Sequence, residues 1–130
     1  MSARVLVVDD ILPNVKLLEA KLTSEYYDVL TATSGEEALK SVEEDSPDLV
    51  LLDVMMPGMD GPETLKALRG LSGFAATPVV FMTAKVQPSE VEQFKAMGAM
   101  DVVAKPFDPV TLPERIRDLW SSTHERSSRS

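Results

Sequence analysis

Residues 49–61 read LVLLDVMMPGMDG. The four apolar residues Leu49–Leu52 have the length and make-up of a strand buried on both faces of a sheet. Yet the run ends on a carboxylate, Asp53, and leads within a few residues to a turn at Pro57-Gly58. A core strand that finishes on a charge needs a reason, and the flanking chain shows where to look for one.

On both sides of this stretch, strand-like runs alternate with helical periods. Val5–Val8 is a β-branched run of the kind found in buried parallel strands. Ile11, Val15, Leu18 and Leu22 then fall on one face of a helix, with Pro13 admissible only in its first turn. Tyr27–Ala32 forms a second strand. Ser34 and Glu37 have the spacing of a capping box that opens a helix bearing Ala38, Leu39 and Val42, which stops before Ser46-Pro47. After Leu49–Leu52, Gly61-Pro62 begins a helix lined by Leu65, Leu68 and Leu71, with proline at its first position. Pro78–Met82 is a fourth strand. Pro88 opens a helix with Val91, Phe94 and Met97 on its apolar side, closed by Gly98. Val102–Ala104 is a short fifth strand. The last helix carries Leu112, Ile116 and Leu119 and runs to about Trp120. It begins either at Asp108-Pro109 or at a Thr111/Glu114 capping box.

The pattern is strand–helix five times over, which predicts an α/β doubly wound fold: a parallel sheet with right-handed crossovers and helices on both faces. Residues 1–120 are expected to form this one domain. The remaining SSTHERSSRS, 121–130, lacks apolar period and is expected to be a flexible tail, a linker stub or an expression remnant.

Composition narrows the function. A chain of 130 residues can bury a core without staples, and it has no cysteine, which excludes disulfides, thiolate metal sites and cysteine nucleophiles. That absence fits a reducing compartment. The net charge of −8 argues against direct binding to a nucleic-acid backbone. No apolar run approaches the ~18 residues of a membrane span. The N-terminal MSARVLVVDD goes straight into strand residues and does not read as a signal peptide, so a cytoplasmic protein is expected.

Ligands of open parallel sheets collect at the carboxyl ends of the strands. Here those ends carry Asp9-Asp10, Asp53, Thr83-Ala84 and Lys105-Pro106. If strands one and three are neighbours, three carboxylates converge in one crevice. Two unit charges ~4 Å apart repel by about 4 kcal/mol at an effective dielectric of ~20, so the acids call for a cation. All-oxygen ligation suits Mg²⁺. A single Asp after a strand is commonly a cap or turn former, and Asp60 and Asp108, beside Gly61 and Pro109, read that way. What stands out is the combination of acid pair, single acid, hydroxyl and lysine, each at the end of a different strand.

VLVVDD at 5–10, LLDVMMPGMDG at 51–61, MTA at 82–84 and KPF at 105–107, in that order, resemble the receiver domain of two-component response regulators over residues 4 to about 120. The resemblance implies a flavodoxin-like sheet in strand order 2-1-3-4-5. It implies that Asp53 accepts a phosphoryl group from a phosphohistidine donor in a Mg²⁺-dependent reaction. Asp10, assisted by Asp9, would hold the metal together with Asp53 and the backbone carbonyl of Met55. Lys105 would pair with the phosphoryl oxygens, Thr83 would hydrogen-bond one of them, and a cis peptide is expected before Pro106. The implied partners are a histidine kinase or histidine phosphotransferase protein, and an effector bound through the face of helix four, strand five and helix five. Such a protein is a switch that catalyses its own phosphorylation and dephosphorylation and is not a turnover enzyme. Met55 and Lys85 would flank the path of an attacking water. Where the family often has an aromatic residue, three before the lysine, this chain has Val102, so either the relay uses other groups or the coupling is weak.

The rival readings fit less well. A phosphohydrolase resembling the haloacid dehalogenase group would have a second Asp at the position of Met55, and the one histidine, His124, lies in the tail. A flavin carrier would want a Ser/Thr-rich phosphate loop where the chain has DDILP, and there is no GxxxxGK[ST] cradle. A receiver that docks without being phosphorylated would not need the full set of acids.

Overall fold

The computed structural model describes residues 3–108 and 110–129, with side chains through residue 121. Its strands are β1 (Arg4–Val8), β2 (Asp28–Ala32), β3 (Leu49–Asp53), β4 (Val79–Thr83) and β5 (Asp101–Ala104). Between and after them come α1 (Leu12–Ser24), α2 (Gly35–Asp45), α3 (Gly61–Arg69), α4 (Pro88–Ala96) and α5 (Leu112–Arg129). The strands form one parallel sheet in the order β2-β1-β3-β4-β5, as expected for the doubly wound class.

Because side chains alternate across a strand, the central strands feed two cores. Leu6, Val8, Val50, Leu52 and Phe81 meet Val42 of α2, Leu65 and Leu68 of α3, and the half-buried Val91 and Phe94 of α4. Val7, Leu51, Val80 and Met82 meet Leu18 and Leu22 of α1 and Ile116 of α5 on the other face. All five residues of β3 are buried, Asp53 included.

Local chemistry sets the helix ends. Ser34 caps α2 by accepting the Glu37 N–H at 3.1 Å, but the Glu37 carboxylate accepts the N–H of Thr33, one residue before the cap, so the expected box is half formed. The reciprocal box occurs instead on α3. Asp60 accepts from Glu63 N–H at 2.9 Å and Glu63 accepts from Asp60 N–H at 3.2 Å. Asp60 is thus the cap its neighbour Gly61 suggested. Ser46 ends α2 in the left-handed region, at φ 47°, where Pro47 prevents continuation.

Several expectations are corrected. The apolar period puts Ile11 on the inner face of α1, but it is the residue before the helix and is 50% exposed. Met97 lies at the C-terminal cap of α4 and is 49% exposed, because the helix ends at Ala96 before its period can bring Met97 inward. Leu71 falls after α3, in the turn beyond Gly70. The last helix begins at Leu112, directly after Thr111, and continues past Trp120 to Arg129. Residues 121–129 contain neither Gly nor Pro, so nothing in them stops a helix once α5 is nucleated on the core. Pro109, the other start considered for this helix, lies outside the described residues.

Helix α4 is seated on the core by the half-buried Val91 and Phe94. None of its residues is fully buried, and Phe94 meets the buried Phe81 edge-on at 5.2 Å between ring centroids. Removing the Phe81 ring leaves a cavity under α4 as well as losing apolar burial. Phe81→Ala is therefore expected to lower unfolding free energy by ~3–5 kcal/mol in urea denaturation, and Phe94→Ala by less than half as much. Equal losses would contradict this account of how α4 is attached.

Candidate functional site

The site is built at the carboxyl edge of the sheet. In the β1–β3 register Val8 lies beside Leu52, so Asp9, the residue after β1, and Asp53, the last of β3, come out at the same level. Asp9, Asp10 and Asp53 each offer a carboxylate oxygen, and these three oxygens lie within 4.8 Å of one another. Asp9 is 0% and Asp53 3% exposed. Lys105, just past β5, sends Nζ between them, 2.8 Å from Asp9 Oδ2 and 3.0 Å from Asp53 Oδ1. The Lys105 backbone is fixed by its N–H donating to Thr83 O at 2.8 Å, and the peptide between Lys105 and Pro106 is cis, as expected.

Tight backbone packing seats the strand that carries Asp53. Gly61 N–H donates to Val54 O at 2.9 Å, and a Cβ at Gly61 would lie 2.6 Å from Asp53 O and 2.8 Å from Val54 Cα. Only glycine lets the start of α3 rest on the chain that carries Asp53. Gly58, at φ 75°, supplies the left-handed residue of the preceding loop.

Thr83 ends β4 and is buried, with Oγ1 accepting the Lys85 N–H at 3.0 Å. Its hydroxyl is thus engaged with its own loop, on the same edge as the acids. Met55 is exposed in the loop after β3. Val102 is buried on β5 beside Phe81 of β4 and takes part in the core. One participant is not anticipated by the motifs: Asn14 of α1, whose Nδ2 donates to Asp9 Oδ2 at 3.3 Å. The signal is present in its placement, since a residue in the first turn after β1 returns to the same edge as the acid pair.

The electrostatics come from burial. Withdrawal from water, the largest influence, raises the Asp53 carboxyl to about 6. The Lys105 ammonium opposes this, while the Asp9 charge and a hydrogen bond with Asp10 add to it. Burial also works against the Lys105 charge, but hydrogen bonds and attraction from Asp9 and Asp53 outweigh it and raise its pKa. Three acids against one ammonium leave the crevice net negative. Its donors are all hard oxygens, with neither thiol nor imidazole among them, so a Mg²⁺-like cation fits the residues present.

A carboxyl whose pKa is higher folded than unfolded binds more protons in the native state, so its ionisation lowers stability as pH rises from 3.8 through about 6. Metal-free protein should show this loss, and Asp53→Asn should remove it. The variant's stability advantage is expected to grow by ~1–3 kcal/mol between about pH 4 and about pH 7.5 in chelator, read by urea denaturation, and to shrink when Mg²⁺ is added. An advantage that does not change with pH would contradict this picture of Asp53.

Comparison with known proteins agrees with this geometry. The sequence pattern of the response regulator receiver domain matches residues 5–117. The chain is 50% identical to the response regulator PleD of Caulobacter vibrioides over 92% of its own length and 26% of PleD. It is 41% identical to the alkaline phosphatase synthesis transcriptional regulatory protein PhoP of Bacillus subtilis over 90% of its length and 48% of that protein. It therefore spans half or less of these curated relatives. Among solved structures, the chemotaxis response regulator CheY4 of Vibrio cholerae superposes with a TM-score of 0.86 at 34% identity, covering 92% of this chain and 99% of that one. Sequence, strand order and the acid-and-lysine edge agree, and the chain belongs to the response regulator receiver domain family.

Proposed function

We propose that this protein is a phosphorylation-dependent signalling switch whose Asp53 carboxylate accepts a phosphoryl group from a phosphohistidine on a histidine kinase or histidine phosphotransferase protein. The observation that carries the reading is the Lys105 ammonium held between Asp9 and Asp53 at the end of a fully buried strand. An oxygen of Asp53 attacks phosphorus, the phosphorus–nitrogen bond of the donor breaks, and the imidazole departs with the bonding pair. Rigid placement on β3 holds the attacking oxygen in a fixed line, which is the main contribution a protein can make to such a transfer. Asp10, Asp9, Asp53 and the backbone carbonyl of Met55 would hold Mg²⁺, which when bound supplies positive charge between an anionic nucleophile and an anionic donor. Lys105 supplies charge of its own to the phosphoryl oxygens, and the Thr83 hydroxyl, whose oxygen accepts the Lys85 N–H, donates its proton to one of them.

The output depends on where the new charge lands. Phosphorylation adds about −1.5 to −2 charges at the Asp53 edge, and both Thr83 and Lys105 belong to segments leading into or out of α4 and β5. Helix α4 has no fully buried residue, so its seat is the part of this face most easily biased between two states. The effector is taken to read the face made by α4, β5 and α5. The donor protein has access along a groove beside Lys105 lined by Asn14, Leu17, Ala84, Pro106 and Phe107. Among the described residues no helix is long and apolar enough to cross a membrane, which is compatible with a cytoplasmic role.

The test is phosphoryl uptake from acetyl phosphate, monitored by intact mass. The parent protein in Mg²⁺ is expected to gain one phosphoryl group. Excess chelator and the Asp53→Asn variant should each reduce uptake by at least about a hundredfold, as expected when charge compensation or the nucleophile itself is removed. Uptake that persists in the variant or in chelator would contradict the proposal.

A further inference from the structure

The acid crevice contains one neutral side chain that the proposed transfer leaves unused. Asn14 lies in the first turn of α1, and its amide Nδ2 donates to Asp9 Oδ2 at 3.3 Å. The same oxygen receives Lys105 Nζ at 2.8 Å, while the other, Oδ1, receives Ile11 N–H at 3.0 Å. Asp9 is fully buried, so its carboxylate relies on these donors in place of water. Two of them share one oxygen, which has lone pairs for both. They differ in kind: the lysine is a charge on a long flexible stem, whereas the asparagine is a neutral donor on a short stem anchored in a helix.

That difference matters once Asp53 is modified. A phosphoryl group on Asp53 places new negative charge beyond the carboxylate that Lys105 already touches at 3.0 Å. An ammonium is a compact point charge and moves toward the stronger anion, so its hold on Asp9 Oδ2 weakens. Asp9 stays buried, and a buried carboxylate oxygen that loses its donor is costly. The Asn14 amide is already aimed at that oxygen and needs only a small shift to close on it.

We infer that Asn14 is a positioning residue of the switch: its amide takes over Asp9 Oδ2 as Lys105 moves to the phosphoryl group. The phosphorylated state therefore depends on Asn14 more than the resting state does. This rests on the proposed roles of Asp53 and Lys105.

The experiment is titration with beryllofluoride, a reversible phosphoryl mimic, in saturating Mg²⁺, monitored by fluorine NMR on the parent, Asn14→Ala and Asn14→Gln proteins. One hydrogen bond to a charged group predicts that Asn14→Ala binds the mimic about tenfold more weakly, with most of the loss recovered in Asn14→Gln. Without the mimic, the thermal midpoint of Asn14→Ala should stay within about 2 °C of the parent, since Lys105 and Ile11 still hold Asp9 in the resting state. Unchanged affinity for the mimic in Asn14→Ala overturns the inference. So does a loss matched by equal damage to resting stability, which marks a merely structural role, or a glutamine variant as weak as the alanine one. A parent protein that fails to bind beryllofluoride overturns the phosphoacceptor reading itself, and is distinguishable because it involves no change at Asn14.

Discussion

Lys105 Nζ sits 2.8 Å from one buried carboxylate and 3.0 Å from another, and a third acid lies within reach of both. Carboxylates are rarely buried unless paired, because the charged form loses its hydration. One ammonium cannot neutralise three of them. The imbalance shows in Asp53, whose carboxyl is raised to about 6 chiefly by burial even with the ammonium alongside. A site in that condition has a standing demand for positive charge, which a divalent cation of the hard, oxygen-seeking kind would meet. The remainder of the fold is the apparatus that keeps the acids in this unfavourable company.

That apparatus is the sheet. Strands β1, β3 and β4 are apolar on both faces, packed between α1 and α5 on one side and α2, α3 and α4 on the other. Parallel register brings the ends of β1 and β3 level, so Asp9 and Asp53 are neighbours although they are distant in sequence. The Gly61 contact locks the outgoing chain onto Asp53, and the bond from Lys105 N–H to Thr83 O ties the lysine loop to β4. The core residues thus serve the site by making its geometry costly to relax. By contrast α4, seated on the Phe81–Phe94 contact, is the element with least to hold it still. Rigidity around the acids and looser attachment at α4 suit a device that receives a charge in one place and displays the consequence in another.

Much of this is legible in the sequence, for identifiable physical reasons. The apolar runs of Val5–Val8, Leu49–Leu52 and Pro78–Met82 are long and uninterrupted because both faces of those strands are covered, and alternation with helical periods permits few topologies. The edge residues Asp9, Asp10, Asp53 and Lys105 stand out because each interrupts the apolar pattern where a strand ends. Helix ends are harder to read. Ile11 and Met97 fit the apolar period of their helices yet lie just outside them, because periodicity says nothing about where hydrogen bonding stops. The half-formed box at Ser34 shows the same limit, since Glu37 binds the Thr33 N–H instead. Asn14 is only half legible in the sequence: its place in the first turn after β1 puts it near the acid pair, but nothing there says which oxygen it meets. Its meaning depends on a contact made through folding.

Asp53 is the proposed acceptor of the phosphoryl group, with Asp9 and Asp10 beside it. Borohydride reduces an aspartyl phosphate to homoserine, so peptide mapping of reduced, phosphorylated protein reads the acceptor directly. Conversion confined to residue 53 is the predicted result. Homoserine at position 9 or 10, or at an acid outside the crevice, would contradict it.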